Sequence, residues 1–503
     1  MKLFRIYILL FTSALPETTE SFLITSHSQK VPLVTNKLTT ETTFYSTRTS
    51  PLKMSKDTAD NYQKTLVSIS SAFDGGNGKL HKIVGDTVYI NIEKDPLTEL
   101  ENTEHMQYFN FRSTVGSSLF DDKHETSNIA TLKYVLSNAG ECSYPIAWDG
   151  TTTFVSTTPF DPHSWHRILN TTYDASTGEL SWTYDHTTSS SSVYFSYFPP
   201  YSYCRHLSLI SRCDASPTAK VYSLGQSLEG REMDCVQVGS GNLVCWIIHR
   251  QHPGETMAEF YAEGLLERLL GLNTDGSVDG LVKDILKKYT FYIVPNMCPD
   301  GAVRGHLRTN YSGSNLNREW TSSGSKEDGS FYEAPTLQRS PEVYHILRKM
   351  DETGVDAFLD VHGDEELPFN FLAGSEGCTN WSKRLEVLHG AFLSKYSEVN
   401  SDMQVSIAYE PEEPGQGRTN VCSNQIAIRF DCLAATLEQP FKDCLSNPDP
   451  ERGWNPARAK MLGSSVLEPL SYVSPFLRVD GDFWTGTFSD HERYVKPTSN
   501  YKS

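Results

Sequence analysis

Four apolar runs narrow the fold of this chain more than any other feature: LVCWIIH (243–249), YTFYIVP (289–295), VDAFLDV (355–361) and LAATLE (433–438). None alternates strictly with polar residues, so each reads as a strand buried on both faces. Between the first two lies TMAEFYAEGLLERLL (256–270), where Met257, Phe260, Leu265, Leu266 and Leu269 recur at helical spacing and lay an apolar stripe along a helix. Buried strands alternating with helices predict an α/β fold, a mixed but mostly parallel sheet between helices. Ligands of such sheets sit beyond the carboxyl ends of the strands, so chemistry belongs in the residues that follow each run.

Those residues are polar and specific. The first run continues into Arg250-Gln251-His252-Pro253-Gly254-Glu255, an H-x-x-E pair that brings an imidazole and a carboxylate toward one point. With 15 histidines in the chain, about one such pair is expected by accident, so its weight comes from the strand-end context. The third run ends in Asp360-Val361-His362-Gly363-Asp364 and offers a second imidazole from a neighbouring strand end. Two histidines and one glutamate leave a fourth zinc position for water, as in a hydrolytic site. The second run leads to a stretch dense in arginines and amides, from Pro299 to Trp320, and arginine's fork grips carboxylates with two bonds. The fourth ends in Thr436-Leu437-Glu438, a buried carboxylate that is costly unless paired or functional, and that is placed to act as a base.

The region before these runs has a different texture. Over residues 65–203 short β-rich segments recur between turns: VYINIE, QYFNFRS, IATLKYV, TTFV, GELSWTY and VYFSYF. They predict an antiparallel β-sandwich domain, with TTSSSS (187–192) as a hairpin loop. His163 and His166 have no acidic or thiol partners at ligand spacing and read as surface or structural residues. Residues 3–15, LFRIYILLFTSAL, are apolar over the length of a signal peptide, and Thr18 to Lys53 is rich in Ser and Thr and poor in acids. Residues 1–53 are therefore expected to be a targeting presequence, secretory or of the two-part kind that enters a complex plastid; the alternative is a cytoplasmic protein with an untargeted tail before Met54. No later stretch approaches a membrane span. A formal net charge of −18 argues against a nucleic-acid partner. Ten cysteines without a C-x-x-C argue against a zinc ribbon or a disulfide scaffold.

The motifs HPGE (252–255), PDG, GHLRTN and NLNREW within 299–320, DVHGD (360–364) and TLEQPF (436–441) together resemble the zinc carboxypeptidase family (peptidase M14), in its cytosolic-carboxypeptidase-like branch. QYFNFRS, W-x-R at 165–167 and PPYSY at 199–203 resemble the domain that precedes the catalytic one in that branch. The resemblance implies a β-sandwich over 65–203 and a catalytic domain over 204–485, which with the expected presequence over 1–53 leaves a tail over 486–503. It implies one Zn²⁺ per chain held by His252, Glu255 and His362, with Arg308 facing the scissile carbonyl. Asn317 and Arg318 match the pair that grips a terminal carboxylate, and Glu438 matches the general base that acts on a zinc-activated water. Many relatives read DLNR where this chain has Asn315, so a carboxylate behind the metal ligands is replaced by an amide. The tyrosine that covers substrate in digestive relatives has no clear counterpart: no tyrosine lies between Tyr409 and Glu438, and Tyr409 is a weak match. Arg418 and Arg429, in the stretch 415–431 expected to form the side-chain pocket, either favour acidic ends such as glutamate or are surface or salt-bridged residues.

The activity expected is removal of amino acids from the C-terminus of a peptide or protein. The same scaffold also serves amidohydrolases acting on small N-acyl amino acids or cell-wall peptides, and binding proteins that have lost the reaction. The intact NLNR element and the extra domain favour peptides, and no ligand or base is missing. Oligomeric state is not legible.

Overall fold

The computed structural model describes residues 67–100, 103–116, 119, 129–321, 334–479 and 495–499. The expected presequence lies outside the described residues, as does the 486–503 tail apart from 495–499.

Two five-stranded sheets form the N-terminal domain. One has the order β1 (Val67–Ser70), β4 (Asn110–Val115), β10 (Ser192–Ser196), β6 (Thr153–Ser156), β7 (His166–Ile168), and every pair in it is antiparallel. The other runs β2 (Lys79–Val84), β3 (Thr87–Asn91), β5 (Ile129–Leu136), β9 (Glu179–Thr187), β8 (Thr172–Asp174). Period-two alternation turns Val88, Ile90, Phe111, Leu180, Trp182, Val193 and Phe195 into the space between the sheets. Trp182 stacks there between Phe109 and Tyr134, with ring centroids 6.0 and 5.8 Å away.

Two details differ from the sequence reading. β3 and β5 pair in parallel, because the chain crosses through β4 in the opposite sheet before returning. The 187–192 tract closes no hairpin: Thr188–Ser190 form a 3-10 turn, with Thr187 and Ser190 capping each other reciprocally, and carry the chain from one sheet to the other. β9 and β10 then face each other across the core, with Trp182 and Phe195 ring centroids 5.4 Å apart.

Helix α1 (Tyr203–Asp214), capped by the Ser202 hydroxyl, opens the second domain. Its seven-stranded sheet has the order β11 (Ala219–Gln226), β12 (Glu232–Gly239), β14 (Tyr289–Val294), β13 (Leu243–His249), β15 (Ala357–Val361), β17 (Leu433–Glu438), β16 (Phe371–Ala373). The four strands read from the sequence are its parallel centre, and β11, β12 and β16 extend it antiparallel at the margins. The chain leaves β13 toward β14 on one side and returns to β15 on the other. That switch opens a crevice at the carboxyl ends of β13 and β15.

Helices α2 (Met257–Leu270), α3 (Gly280–Lys288), α4 (Pro299–Arg304), α5 (Pro341–Thr353), α6 (Lys383–Val399), α7 (Cys422–Phe430), α8 (Pro456–Ser465) and α9 (Leu467–Val473) flank the sheet. The stripe on α2 understates its burial, since even Glu259 and Glu263 are inside. The cause is α8, which packs on it at close range: a Cβ on Gly264 would lie 2.0 Å from the Lys460 carbonyl oxygen, and one on Gly463 2.1 Å from that of Tyr261. Glu263 is neutralised by Arg205 at 2.8 Å, and Glu259 by Arg250 and His206, both at 2.7 Å.

The two domains share a dense boundary. The buried Arg167 guanidinium donates to the carbonyls of Phe441, Lys442, Arg452 and Trp454, just past the end of β17. Tyr197 stacks on Phe441 at 4.4 Å. All ten cysteines are free thiols, nine of them buried. Among the described residues no helix is long and apolar enough to cross a membrane.

Candidate active site

After β13 the backbone turns through Arg250 at φ 59°, a conformation that costs a side-chain-bearing residue free energy unless its surroundings hold it. The Arg250 guanidinium does the holding. It donates to the carbonyls of Pro253 (2.9 Å) and Tyr201 (3.0 Å) and to the Glu259 carboxylate (2.7 Å). The turn delivers His252 and Glu255 over the end of β15, from which His362 emerges.

The three side chains converge. Nδ1 of His252 lies 2.6 Å from Glu255 Oε1 and 3.1 Å from Nδ1 of His362, which is 2.8 Å from Glu255 Oε2. The outer ring nitrogens define the tautomers. His252 Nε2 donates to Asn315 Oδ1 at 3.1 Å, and that oxygen also accepts the Asn317 backbone N–H, so it is an acceptor. His362 Nε2 donates to Asp360 Oδ2 at 2.9 Å. Asp360 also accepts from Gln251 at 2.6 Å, and Gln251 is oriented by the Trp320 indole N–H at 2.8 Å. Both Nδ1 atoms therefore face one carboxylate, His252 with a lone pair and His362 with a proton or a cation in its place, a donor set that suits a metal ion between them.

The electrostatics agree. Burial and the Arg308 charge push His252 down to about 3, which keeps it neutral. Burial also opposes a charge on His362, but Asp360 and Glu255 outweigh it and hold that imidazole well above its ordinary range. Burial works against the Glu255 carboxylate too, yet the two imidazoles hold it ionised. The pocket is built to receive positive charge, and its two imidazoles and one carboxylate suit Zn²⁺.

Around this centre opens a cleft of about 430 Å³, lined by His252, Glu255, Arg308, Asn317, Arg318 and Glu438 among others. Glu438 ends β17 almost fully buried, and its Oε2 has no hydrogen-bond partner. Burial pushes it well above the usual carboxylate range; His362 opposes this, and Glu255, Asp364 and Glu365 add to it. Asn317 Oδ1 accepts the Cys422 backbone N–H at 2.9 Å, and Arg318 donates to the Asn317 carbonyl at 2.7 Å. All seven residues singled out in the sequence thus meet at one place. At position 315 an amide oxygen orients His252.

Further residues take part, some of them not read from the sequence. Tyr409 does reach the cleft: its hydroxyl donates to Asp364 at 2.5 Å and lies 3.3 Å from Glu438 Oε1. Asp360 stands inside the quoted DVHGD motif, two residues before His362 and so on the same face by the strand's alternation, which was its available signal. Tyr144 and Asp95 come from the β-sandwich, and nothing local in the sequence marks them. Of the two pocket arginines, Arg418 lines the cleft, bound to Glu412 at 2.9 Å, whereas Arg429 points to Asp351 on α5 at 2.6 Å and takes no part. A helical turn of α7 separates Arg429 from the cleft-lining Asn424, so proximity in sequence misplaced it.

A parallel-centred sheet with a two-histidine, one-carboxylate centre at its switch point and arginines around it defines a metal-dependent hydrolase with the carboxypeptidase fold. The chain belongs to the zinc carboxypeptidase family: residues 209–404 match "Zinc carboxypeptidase" and residues 69–198 match "Cytosolic carboxypeptidase N-terminal domain". It is 39% identical to the uncharacterized protein ZMO1242 of Zymomonas mobilis over 82% of this chain and 98% of that one. A metallo-carboxypeptidase from Pseudomonas aeruginosa, solved in complex with (2-guanidinoethylmercapto)succinic acid, superposes with a TM-score of 0.71 at 34% identity, covering 82% of this chain and 100% of its own. Mouse cytosolic carboxypeptidase 3 is 25% identical over 83% of this chain, which spans only 40% of that longer protein. The protein is a metallocarboxypeptidase-family peptidase.

Proposed function

We propose that the protein removes single amino acids from the C-terminus of peptides or protein tails, with one Zn²⁺ held by His252, Glu255 and His362. The observation that carries the reading is the meeting of those three ligands with Arg308, Asn317, Arg318 and Glu438 in one cleft. Bound there, zinc supplies a Lewis acid that acidifies water and polarises the scissile carbonyl. Arg318 and Asn317 grip the terminal carboxylate, and this restricts the reaction to chain ends because only there does a carboxylate adjoin the scissile bond. Arg308 donates to the oxyanion as it develops. Glu438 accepts the proton of the attacking water and returns it to the leaving amine.

For the terminal side chain we propose an acidic preference, glutamate included, supported by Arg418 in the cleft wall. A second reading, a basic terminal residue, is favoured by Glu376, Glu410 and Glu412 in the same wall and by the guanidino compound bound to the Pseudomonas relative. Release of free amino acids from peptides ending in Glu, Asp, Lys, Phe or Leu, with and without a zinc chelator, tests both. Chelator-sensitive stepwise release supports the activity, and the order of rates selects the pocket. Release only from N-acyl amino acids points to an amidohydrolase, and no release from either class overturns the catalytic reading in favour of binding.

A further inference from the structure

The loop that carries Arg308 is held on one side by the other domain. Gly75 donates to the Val303 carbonyl at 2.8 Å and Asn77 to the Gly305 carbonyl at 3.1 Å. Asp95, nearly inaccessible, accepts the backbone N–H groups of Leu307, Arg308 and Thr309 at 2.7, 2.8 and 2.9 Å and the Thr309 hydroxyl at 3.0 Å. At the tip of the same domain, Tyr144 enters the cleft and accepts a hydrogen bond from Arg308 Nη1 at 3.2 Å. Its backbone is pinned at both ends by one buried amide: Gln107 Oε1 accepts the Tyr144 N–H and Gln107 Nε2 donates to the Tyr144 carbonyl, each at 3.2 Å.

From this geometry we infer that the β-sandwich is part of the active site, and that Tyr144 is a positioning residue which holds the Arg308 guanidinium in the orientation needed to meet the oxyanion. The inference rests on the carboxypeptidase reading above. Two constraints act on Arg308: Asp95 fixes where its backbone stands, and the Tyr144 oxygen fixes one nitrogen of its fork. A long flexible side chain so held loses less freedom when charge develops on the substrate. The Arg308 charge pulls the Tyr144 phenol down, but burial and the acids Glu365, Glu255 and Asp364 leave it at about 12. The phenol therefore keeps its proton at working pH and accepts from Arg308 through a lone pair.

The test is a double-mutant cycle on full-length, zinc-loaded protein, using Tyr144→Phe, Arg308→Lys and the pair. Phe removes only the hydroxyl from a half-buried ring, so the melting temperature and zinc content are expected to match wild type. Losing one hydrogen bond to a charged group should lower kcat ~10-fold with KM changed less than ~2-fold. In the Arg308→Lys background the same change should alter kcat by less than ~2-fold, because the two residues act as one unit. A peptide phosphonate, which presents a tetrahedral anion, should bind the Phe variant ~10-fold more weakly, while a free product amino acid binds equally well. An unchanged kcat in Tyr144→Phe, or losses that multiply independently, overturns the inference while the carboxypeptidase reading stands. A wild-type protein that releases nothing from any peptide overturns both.

Discussion

Asn315 accepts the Nε2–H of His252 at 3.1 Å through the same oxygen that accepts the Asn317 backbone N–H. One amide therefore sets the tautomer of a metal ligand and the turn that presents Asn317 and Arg318. Asn315→Ala is expected to weaken zinc binding ~10–100-fold, as loss of an orienting partner does. Competition against a zinc-binding dye measures this, and unaltered affinity would remove Asn315 from the centre.

Glu438 is placed to move protons and contributes no metal-facing atom to the converging triad. Glu438→Gln should keep its zinc and lose at least ~100-fold in turnover. Metal content and peptide release, measured on the same sample, check the two halves separately. Near-wild-type turnover would exclude it as the base.

Glu342, on α5, is fully buried, and its Oε1 has no partner. Burial pushes its carboxyl up to about 8, against an ordinary value of 4.5. The folded state thus binds a proton that the unfolded chain releases near 4.5, so the stability is intact below that value and is lost as pH rises through about 8. His206 has the same sign. Burial lowers it, but its bonds to Asp234 and Glu259 win and raise it to about 9, so its contribution is full below 6.5 and lost toward 9. Denaturant unfolding should show stability falling from pH 6 to 9, and Glu342→Gln should recover on the order of 1 kcal/mol or more at pH 8. A flat profile in wild type would contradict both assignments.

Gly463 sits where the backbones of α2 and α8 nearly touch. Since the obstructing atoms are backbone, no rotamer change relieves a methyl group there, and Gly463→Ala should destabilise by roughly 2 kcal/mol or more. Thermal melting reads the loss directly, and a melting temperature equal to wild type would show that the helices can separate at no cost.

Chelation should abolish peptide release and also lower the melting temperature, because zinc binds the folded triad and not the unfolded chain. Re-addition of zinc should restore both. A melting temperature insensitive to chelator would separate the metal from folding.

The parallel centre of the catalytic sheet was legible in the chain alone, and so were His252, Glu255, His362 and Glu438 at its carboxyl edge, whereas Arg308, Asn317 and Arg318 were singled out through likeness to a family motif. The strand signals are local: a strand buried on both faces is apolar without interruption, and polar residues that must meet a ligand interrupt it at its end. What comes from far along the chain emerges only when the domains pack together. Asp95 and Tyr144 stand 213 and 164 residues before Arg308 and carry no motif, so their role exists only once the β-sandwich is docked. The marginal strands β11 and β12 escaped notice because their partial exposure dilutes the apolar pattern, and β16 because it is only three residues long. Tyr409 and Arg429 are equally ambiguous in sequence; side-chain direction, set by packing, puts one beside Glu438 and the other against Asp351. Chemistry at strand ends is written locally, whereas the support of that chemistry is a matter of which surfaces the fold presses together.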